Sequence, residues 1–246
     1  MDNYYVKGTS MQIGGSGVSE SFYWVYGCVM LMGGAGLGRL CYFWANAYVK
    51  RELALRNEAF CKIVNCRLVQ FINILLLFSL LLRFHWNWQL GKFVVLGCLL
   101  LAISLIDYYS FLIPNSLLLL GLLLYVPLSL LAGQAMLDLL LQGVLNGCLA
   151  AVPLLVFILI ADGLLQQETM GGGDIKLFFL LGVYMGPFWT FLTLFLSCLV
   201  GLLWQLWRQS LRRGAMLPFG PSIAVAAWLV LLWGERMMDW YWQFLL

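Results

Sequence analysis

The chain has 246 residues, of which 63% are hydrophobic and only 10% are charged, and its mean hydropathy is +0.91. Because soluble globular domains carry about a quarter charged residues, this composition excludes a soluble globule and indicates an integral membrane protein. The net charge of +3 is too small to indicate a nucleic-acid partner.

The apolar runs predict an all-α fold, a polytopic bundle of about eight transmembrane helices that forms one domain over residues 22–246. The run 93–106 is shorter than the about 20 residues that a crossing needs, so we expect its helix to continue past Asp107 and to end before Pro114. The run 177–207 is too long for one crossing, and Gly186 with Pro187 is expected to divide it. The other predicted spans are 22–38, 68–82, 116–131, 139–160 and 218–233.

Two segments outside these spans complete the predicted organisation. Residues 1–21 are polar and lack the basic and apolar regions of a cleavable signal, so we interpret them as a flexible tail or as an addition foreign to the native chain. Residues 39–67 form a predicted cytoplasmic loop, which holds six of the fourteen Lys and Arg residues and can bind anionic lipid. Its cysteines, Cys41, Cys61 and Cys66, form no C-x-x-C pair, so we expect no zinc site and no other metal.

The distribution of positive charge predicts how the bundle is oriented. With the N-terminus outside, ten Lys and Arg residues fall on the cytoplasmic side and four fall outside. Cytoplasmic loops of membrane proteins carry an excess of Lys and Arg, which selects this orientation. Asp107 and Asp174 then both emerge on the cytoplasmic side, where they can meet.

Asp107 and Asp174 are the candidate chemical groups. Asp107 ends the run 93–106, and Asp174 follows three glycines and is expected to N-cap the next helix. Ionisable groups at membrane depth are costly and usually functional. Together they predict a carboxylate dyad, in which like charges cannot both ionise and one proton is shared. Asp138, between two spans, is interpreted as a solvated loop acid.

Other interpretations of the two acids stay open on these residues alone. Each acid by itself could be a helix-terminal group in water. A transporter or channel could use both as proton or cation sites within the membrane, although no inverted repeat is visible and both acids fall at one face. A non-enzymatic assembly component is a further alternative, but it would not require both acids.

The residues around both acids carry a resemblance to a known family. The motif G-G-G-D at 171–174 is followed two positions later by Lys176, and Asp107 stands upstream of the motif I-P-N at 113–115. Glu168 and the segment P-F-G-P-S at 218–222 fit the same pattern. In these features the chain resembles the type IV prepilin peptidases, which are membrane-embedded aspartyl proteases of the GxGD class.

The resemblance implies an aspartyl endopeptidase that removes the short basic leader from type IV prepilins, or from pseudopilins of type II secretion, at the cytoplasmic face of the bacterial inner membrane. It also implies that the cleaved bond lies just before the hydrophobic N-terminal helix of the pilin. It implies catalytic roles for Asp107 and Asp174, prepilin and lipid as partners, and no cofactor. The implied active-site loop or substrate-binding residues are Gly171, Gly172, Gly173, Lys176, Pro114, Asn115 and Glu168. Bifunctional members hold zinc with two C-x-x-C pairs in the first loop, a module associated with N-methylation. Its absence here argues against methyltransferase activity.

Overall fold

The computed structural model describes residues 18–55, 65–84, 88–131, 135–166, 170–209 and 218–245. All regular secondary structure in these ranges is α-helical, which confirms the predicted all-α, polytopic class. The helices are α1 (Val18–Leu55), α2 (Cys66–Phe84), α3 (Trp88–Ser110), α4 (Asn115–Leu131), α5 (Met136–Leu165), α6 (Gly172–Met185), α7 (Pro187–Gln209) and α8 (Gly220–Leu245).

Four of the described helices are long and apolar enough to cross a membrane, namely α2, α3, α5 and α7. A fifth helix, α4, is apolar but shorter. Large apolar side chains such as Phe157 of α5 and Leu203 of α7 point outward and are exposed, as expected for groups that contact lipid. The protein is therefore a multi-pass membrane protein, while the number of about eight crossings and the outside position of the N-terminus stay predictions.

Helix α3 lies at the centre of the bundle and contacts α1, α2, α4, α6 and α8. Its side chains Ile103 and Ile106 are buried among these neighbours. As the short apolar run predicts, α3 continues past Asp107. Phe111 then adopts the left-handed conformation (φ 54°) that often follows a helix end, and the chain continues to Pro114 and α4.

The predicted division of the run 177–207 is confirmed at Gly186. Helix α6 ends at Met185, Gly186 has a φ of 83°, and α7 begins at Pro187. Glycine adopts a positive φ at little cost, and proline suits the first position of a helix because its missing N–H would have no intrahelical partner. Near this break Tyr184 donates a hydrogen bond to the Gly121 carbonyl over 2.7 Å, which ties α6 to α4.

The first helix is longer than the sequence analysis predicts. Because α1 covers Val18–Leu55, the first part of the predicted loop 39–67 is helical, and so are residues 18–21 of the predicted tail. Residues 39–55 contain no Gly or Pro that would end a helix, and Ala45 and Val49 are buried in the core. Lys and Arg are good helix formers, so their presence does not mark a loop. Residues 1–17 and 56–64 lie outside the described residues.

Candidate active site

Asp107 lies in the last turn of α3 and is nearly buried, with 6% of its surface exposed. Its Oδ2 atom accepts a hydrogen bond from the backbone N–H of Gly220 over 2.8 Å. Gly220 is the first residue of α8, and the free N–H groups at a helix N-terminus are favourable partners for a carboxylate. The start of α8 therefore holds the Asp107 carboxylate in one orientation.

The contact between α8 and Asp107 leaves no space for a side chain at position 220. A Cβ atom built on Gly220 would lie 2.8 Å from Oδ2 and 3.0 Å from Cβ of Asp107. From sequence alone, the segment 218–222 is only a family-like feature, and Gly220 has no assigned role. The available signal was a glycine between Phe219 and Pro221 at the start of an apolar run, where close backbone approach is one explanation.

Asp174 is the third residue of α6 and is half-buried. The prediction that it N-caps this helix is wrong, because the N-cap is Gly171, whose backbone is extended (φ −68°, ψ 140°). The Asp174 carboxylate instead accepts a hydrogen bond from the Gly171 N–H, and the Asp174 N–H donates to the Gly171 carbonyl over 3.0 Å. An acidic side chain that reaches from the third helical position to the N-cap N–H forms one half of a capping box. This bond fixes the carboxylate beside the glycine-rich loop.

The structure brings Asp107 and Asp174 near enough to interact electrostatically. Two contacts hold their flanking loops together. The Gly173 backbone packs against Ile113, where an added Cβ atom would lie 3.1 Å from the Ile113 Cβ. Beside it, Lys176 Nζ donates a hydrogen bond to Asn115 Oδ1 over 3.0 Å. Two motifs that are distant in the sequence therefore form one surface around the carboxylates.

The remaining residues implied by the resemblance take different positions. Pro114 is buried and directly precedes α4. Gly171 and Gly172 are exposed, and a Cβ atom built on Gly172 would meet no described atom within 4 Å. An extended polypeptide backbone could therefore approach these glycines beside Asp174. Glu168 lies outside the described residues.

Within the described ranges, no group of three or more His, Cys, Asp and Glu side chains could hold a metal ion. Cys41 and Cys66 are free cysteines, and the Cys41 thiol donates to the Cys98 carbonyl of α3 over 3.4 Å. Cys61, the third cysteine of the predicted loop, falls among the residues that are not described. The expected lack of a metal site stays a prediction.

Known proteins resemble this chain over the region that contains both carboxylates. The profile of the Type IV leader peptidase family matches residues 94–206. A prepilin leader peptidase/N-methyltransferase of Stutzerimonas stutzeri is 36% identical over 165 residues, which cover 66% of this chain and 56% of that protein. A protein of the same description from Pseudomonas putida is 32% identical over 203 residues, which cover 79% of this chain and 69% of that protein.

The chain thus spans a little over half the length of the first of these relatives. No solved structure matches it significantly. The profile match includes Asp107, Asp174 and the loops that flank them. The identity and coverage shared with the Pseudomonas putida relative, together with this profile match, show that the chain belongs to the type IV leader peptidase family.

Proposed function

We propose that this protein is an intramembrane aspartyl endopeptidase, which removes the short basic leader from type IV prepilins or pseudopilins at the cytoplasmic face of the bacterial inner membrane. One observation carries the proposal: α3 and α6 bring Asp107 and Asp174 near enough to interact electrostatically. Membership of the type IV leader peptidase family supports peptide hydrolysis, and it does not favour the alternative of a transporter or channel. The relatives described as prepilin leader peptidases support the substrate class.

Two neighbouring carboxylates supply both kinds of catalysis that a peptide bond requires. Because like charges side by side are costly, the pair holds one proton between them. The ionised carboxylate accepts a proton from water as the water oxygen attacks the carbonyl carbon, and the other carboxylate donates its proton to the carbonyl oxygen. This step forms a neutral tetrahedral intermediate with two hydroxyl groups.

The second step restores the starting state of the pair. The carboxylate that took the water proton gives it to the amide nitrogen as the C–N bond breaks, and the other carboxylate recovers a proton from one hydroxyl. The products are a carboxylic acid and a free amine. These roles belong to the pair, because interacting groups titrate as a unit.

The backbone around the carboxylates suits this chemistry. The Gly220 N–H orients Asp107, and the Gly171 N–H orients Asp174, so each carboxylate is held by a donor that cannot rotate away. Holding reacting groups in a fixed geometry lowers the entropic cost of the reaction. The exposed Gly171 and Gly172 leave room for the substrate backbone beside Asp174.

The test is cleavage of a prepilin by the purified full chain in detergent, measured by gel shift and by the mass of the new N-terminus. Asp107→Asn and Asp174→Asn preserve the size of the side chain but replace one carboxylate of the pair with an amide, which cannot act as an acid or a base. Each is therefore expected to lower cleavage about 10³-fold. Asp138→Asn is the matched control, because Asp138 is exposed in the first turn of α5. We expect it to cleave like the wild type. Near-normal processing by either active-site variant, at wild-type membrane insertion, would refute the dyad.

We also propose that the cleaved pilin keeps an unmethylated N-terminus. The relatives are described as prepilin leader peptidase/N-methyltransferase, whereas this sequence contains no C-x-x-C pair. When cleavage is run with a methyl donor present, mass spectrometry is expected to find the free amine of the new N-terminus unchanged. A gain of one methyl group there, lost again when the donor is omitted, would contradict the proposal.

A further inference from the structure

An apolar groove lies between α2, α3 and α8 and has a volume of about 230 Å³. Side chains from all three helices line it, and those at its rim are partly exposed. Ile72 and Leu75 of α2 are 38% and 48% exposed, and Val225 of α8 is 45% exposed. The groove therefore opens outward, toward the lipid that surrounds the bundle.

The polar side chains of the groove are already bonded within the protein. The Ser104 hydroxyl donates to the Leu100 carbonyl over 2.7 Å, and the Trp228 indole N–H donates to the Ser79 hydroxyl over 3.1 Å. Because these groups are satisfied, the groove offers an occupant little besides apolar contact. Its occupant must therefore be apolar as well.

One end of this groove adjoins the candidate active site. Ser104 lies one helical turn before Asp107 on α3. Pro221 directly follows Gly220, whose N–H binds the Asp107 carboxylate. From Ser104 the groove extends along α3 to Gly97, a distance of about 10 Å at 1.5 Å per residue. An apolar segment seated in it would begin beside Asp107 and run into the membrane.

We propose that this groove receives apolar side chains of the membrane-embedded segment that follows the scissile bond of the substrate. The inference rests on the proposed peptidase function and names the surface that recognises the substrate. A helix with its side chains is about 10–12 Å across, so a groove of about 230 Å³ cannot enclose one. It can hold side chains from one face of a helix that lies across α2, α3 and α8. Such docking places the scissile bond, which precedes the helix of the substrate, at the Asp107 end of the groove.

The test compares two substrates and two variants. Ala224 lines the groove and is half-buried, so Ala224→Phe places a ring inside it. Val152→Phe is the matched control, because Val152 is exposed on α5, away from the groove. The substrates are a full-length prepilin and the same leader truncated a few residues after the scissile bond.

We expect Ala224→Phe to raise the KM for the full-length prepilin about tenfold, which corresponds to about 1.4 kcal/mol of binding. Cleavage of the truncated peptide is expected to stay at the wild-type rate, and Val152→Phe should leave both substrates unaffected. An unchanged KM in Ala224→Phe would overturn the inference, and so would an equal loss on both substrates. If the wild type cleaves neither substrate, the proposed function fails, and that outcome is distinct from either result.

A crosslinking measurement covers the case in which Ala224→Phe does not fold. Val225→Cys places a thiol at the exposed rim, and a prepilin with one cysteine in its apolar segment supplies the partner. An added oxidant then forms a disulfide between the two thiols. The Val225→Cys variant also carries Asp107→Asn, so that the substrate stays uncleaved. Native Cys148 and Cys198 are exposed on α5 and α7. The disulfides that they form with the substrate measure the background from random encounters. A crosslinking yield at Val225→Cys above that background supports docking of the substrate in the groove. A yield no higher than the background overturns the inference.

Discussion

The charged side chains at the two ends of α3 have different kinds of neighbours. Near its start Lys92 is nearly buried, and its ammonium lies 5.5 Å from the centre of the Tyr125 ring. Beside it a cavity of about 270 Å³ is also lined by Arg83 and Glu235, which form an ion pair. Near its other end, Asp107 shares its surroundings with a second carboxylate, Asp174.

The difference between the two ends supports the proposal that the active site lies at the Asp107 end. At the Lys92 end, each cation has an anion or an aromatic ring nearby, which is the arrangement that stability alone would produce. At the Asp107 end, two carboxylates lie near each other, and each accepts a hydrogen bond from a different backbone N–H. Like charges in partial burial are costly, so this arrangement supports the proposed catalytic role of the two carboxylates.

After removal of a carboxylate itself, Gly220→Ala is expected to have the largest effect on activity at the Asp107 end of α3. The added Cβ would lie 2.8 Å from the Asp107 Oδ2 atom, so the carboxylate or the start of α8 must move. Displacement of a catalytic group by about 1 Å can cost about 10²-fold in rate, and we expect a fall in kcat of that size. Gly163→Ala is the matched control, because its added Cβ meets no described atom within 4 Å and Gly163 is exposed on α5. Equal activity of the two variants would show that Gly220 does not position Asp107.

A smaller effect is expected at Lys176, which links the loops that flank the two carboxylates. Its bond to Asn115 is exposed, and exposed charged contacts are worth at most about 1 kcal/mol. Lys176→Met should therefore lower kcat/KM about fivefold or less. Asn115→Ala should act similarly, and the double variant should be no worse than either single one if the bond is the shared cause. Additive losses would instead assign the two side chains separate roles.

The smallest effect on catalysis is expected at the other end of α3. Arg83 and Glu235 are both partly exposed, so Arg83→Gln should cost about 1 kcal/mol or less of stability, read as a small decrease of Tm in detergent. Because this pair lies at the end of the bundle away from Asp107, cleavage of a prepilin should match the wild type. A tenfold loss of cleavage without a large decrease of Tm would show that the two ends are coupled.

Local rules were enough to predict the helical class, the passage of α3 through Asp107 and the break at Gly186, because each rests on the chemistry of a few neighbouring residues. They failed at α1, where the basic residues suggested a loop from residue 39. The helix continues to Leu55, because no Gly or Pro in 39–55 ends it. They also misplaced the N-cap of α6, since Gly171 and Asp174 each suit that position and only the backbone conformation decides.

Gly220 escaped prediction for a different reason. Its partner lies 113 residues away in the chain, and no spacing rule connects a glycine at the start of one helix to an acid in the last turn of another. The approach of α8 to α3 is a property of how the bundle packs. A tertiary contact of this kind is visible only once both helices have been placed in space.

The donor that holds Asp107 belongs to the main chain, and every amino acid except proline supplies such an N–H. Point mutation at position 220 therefore rarely removes the hydrogen bond itself, and what it changes is bulk. Selection at this position should act on volume rather than on polarity. Even serine, small and hydrophilic, should then be as poorly tolerated as alanine unless the end of α3 moves aside.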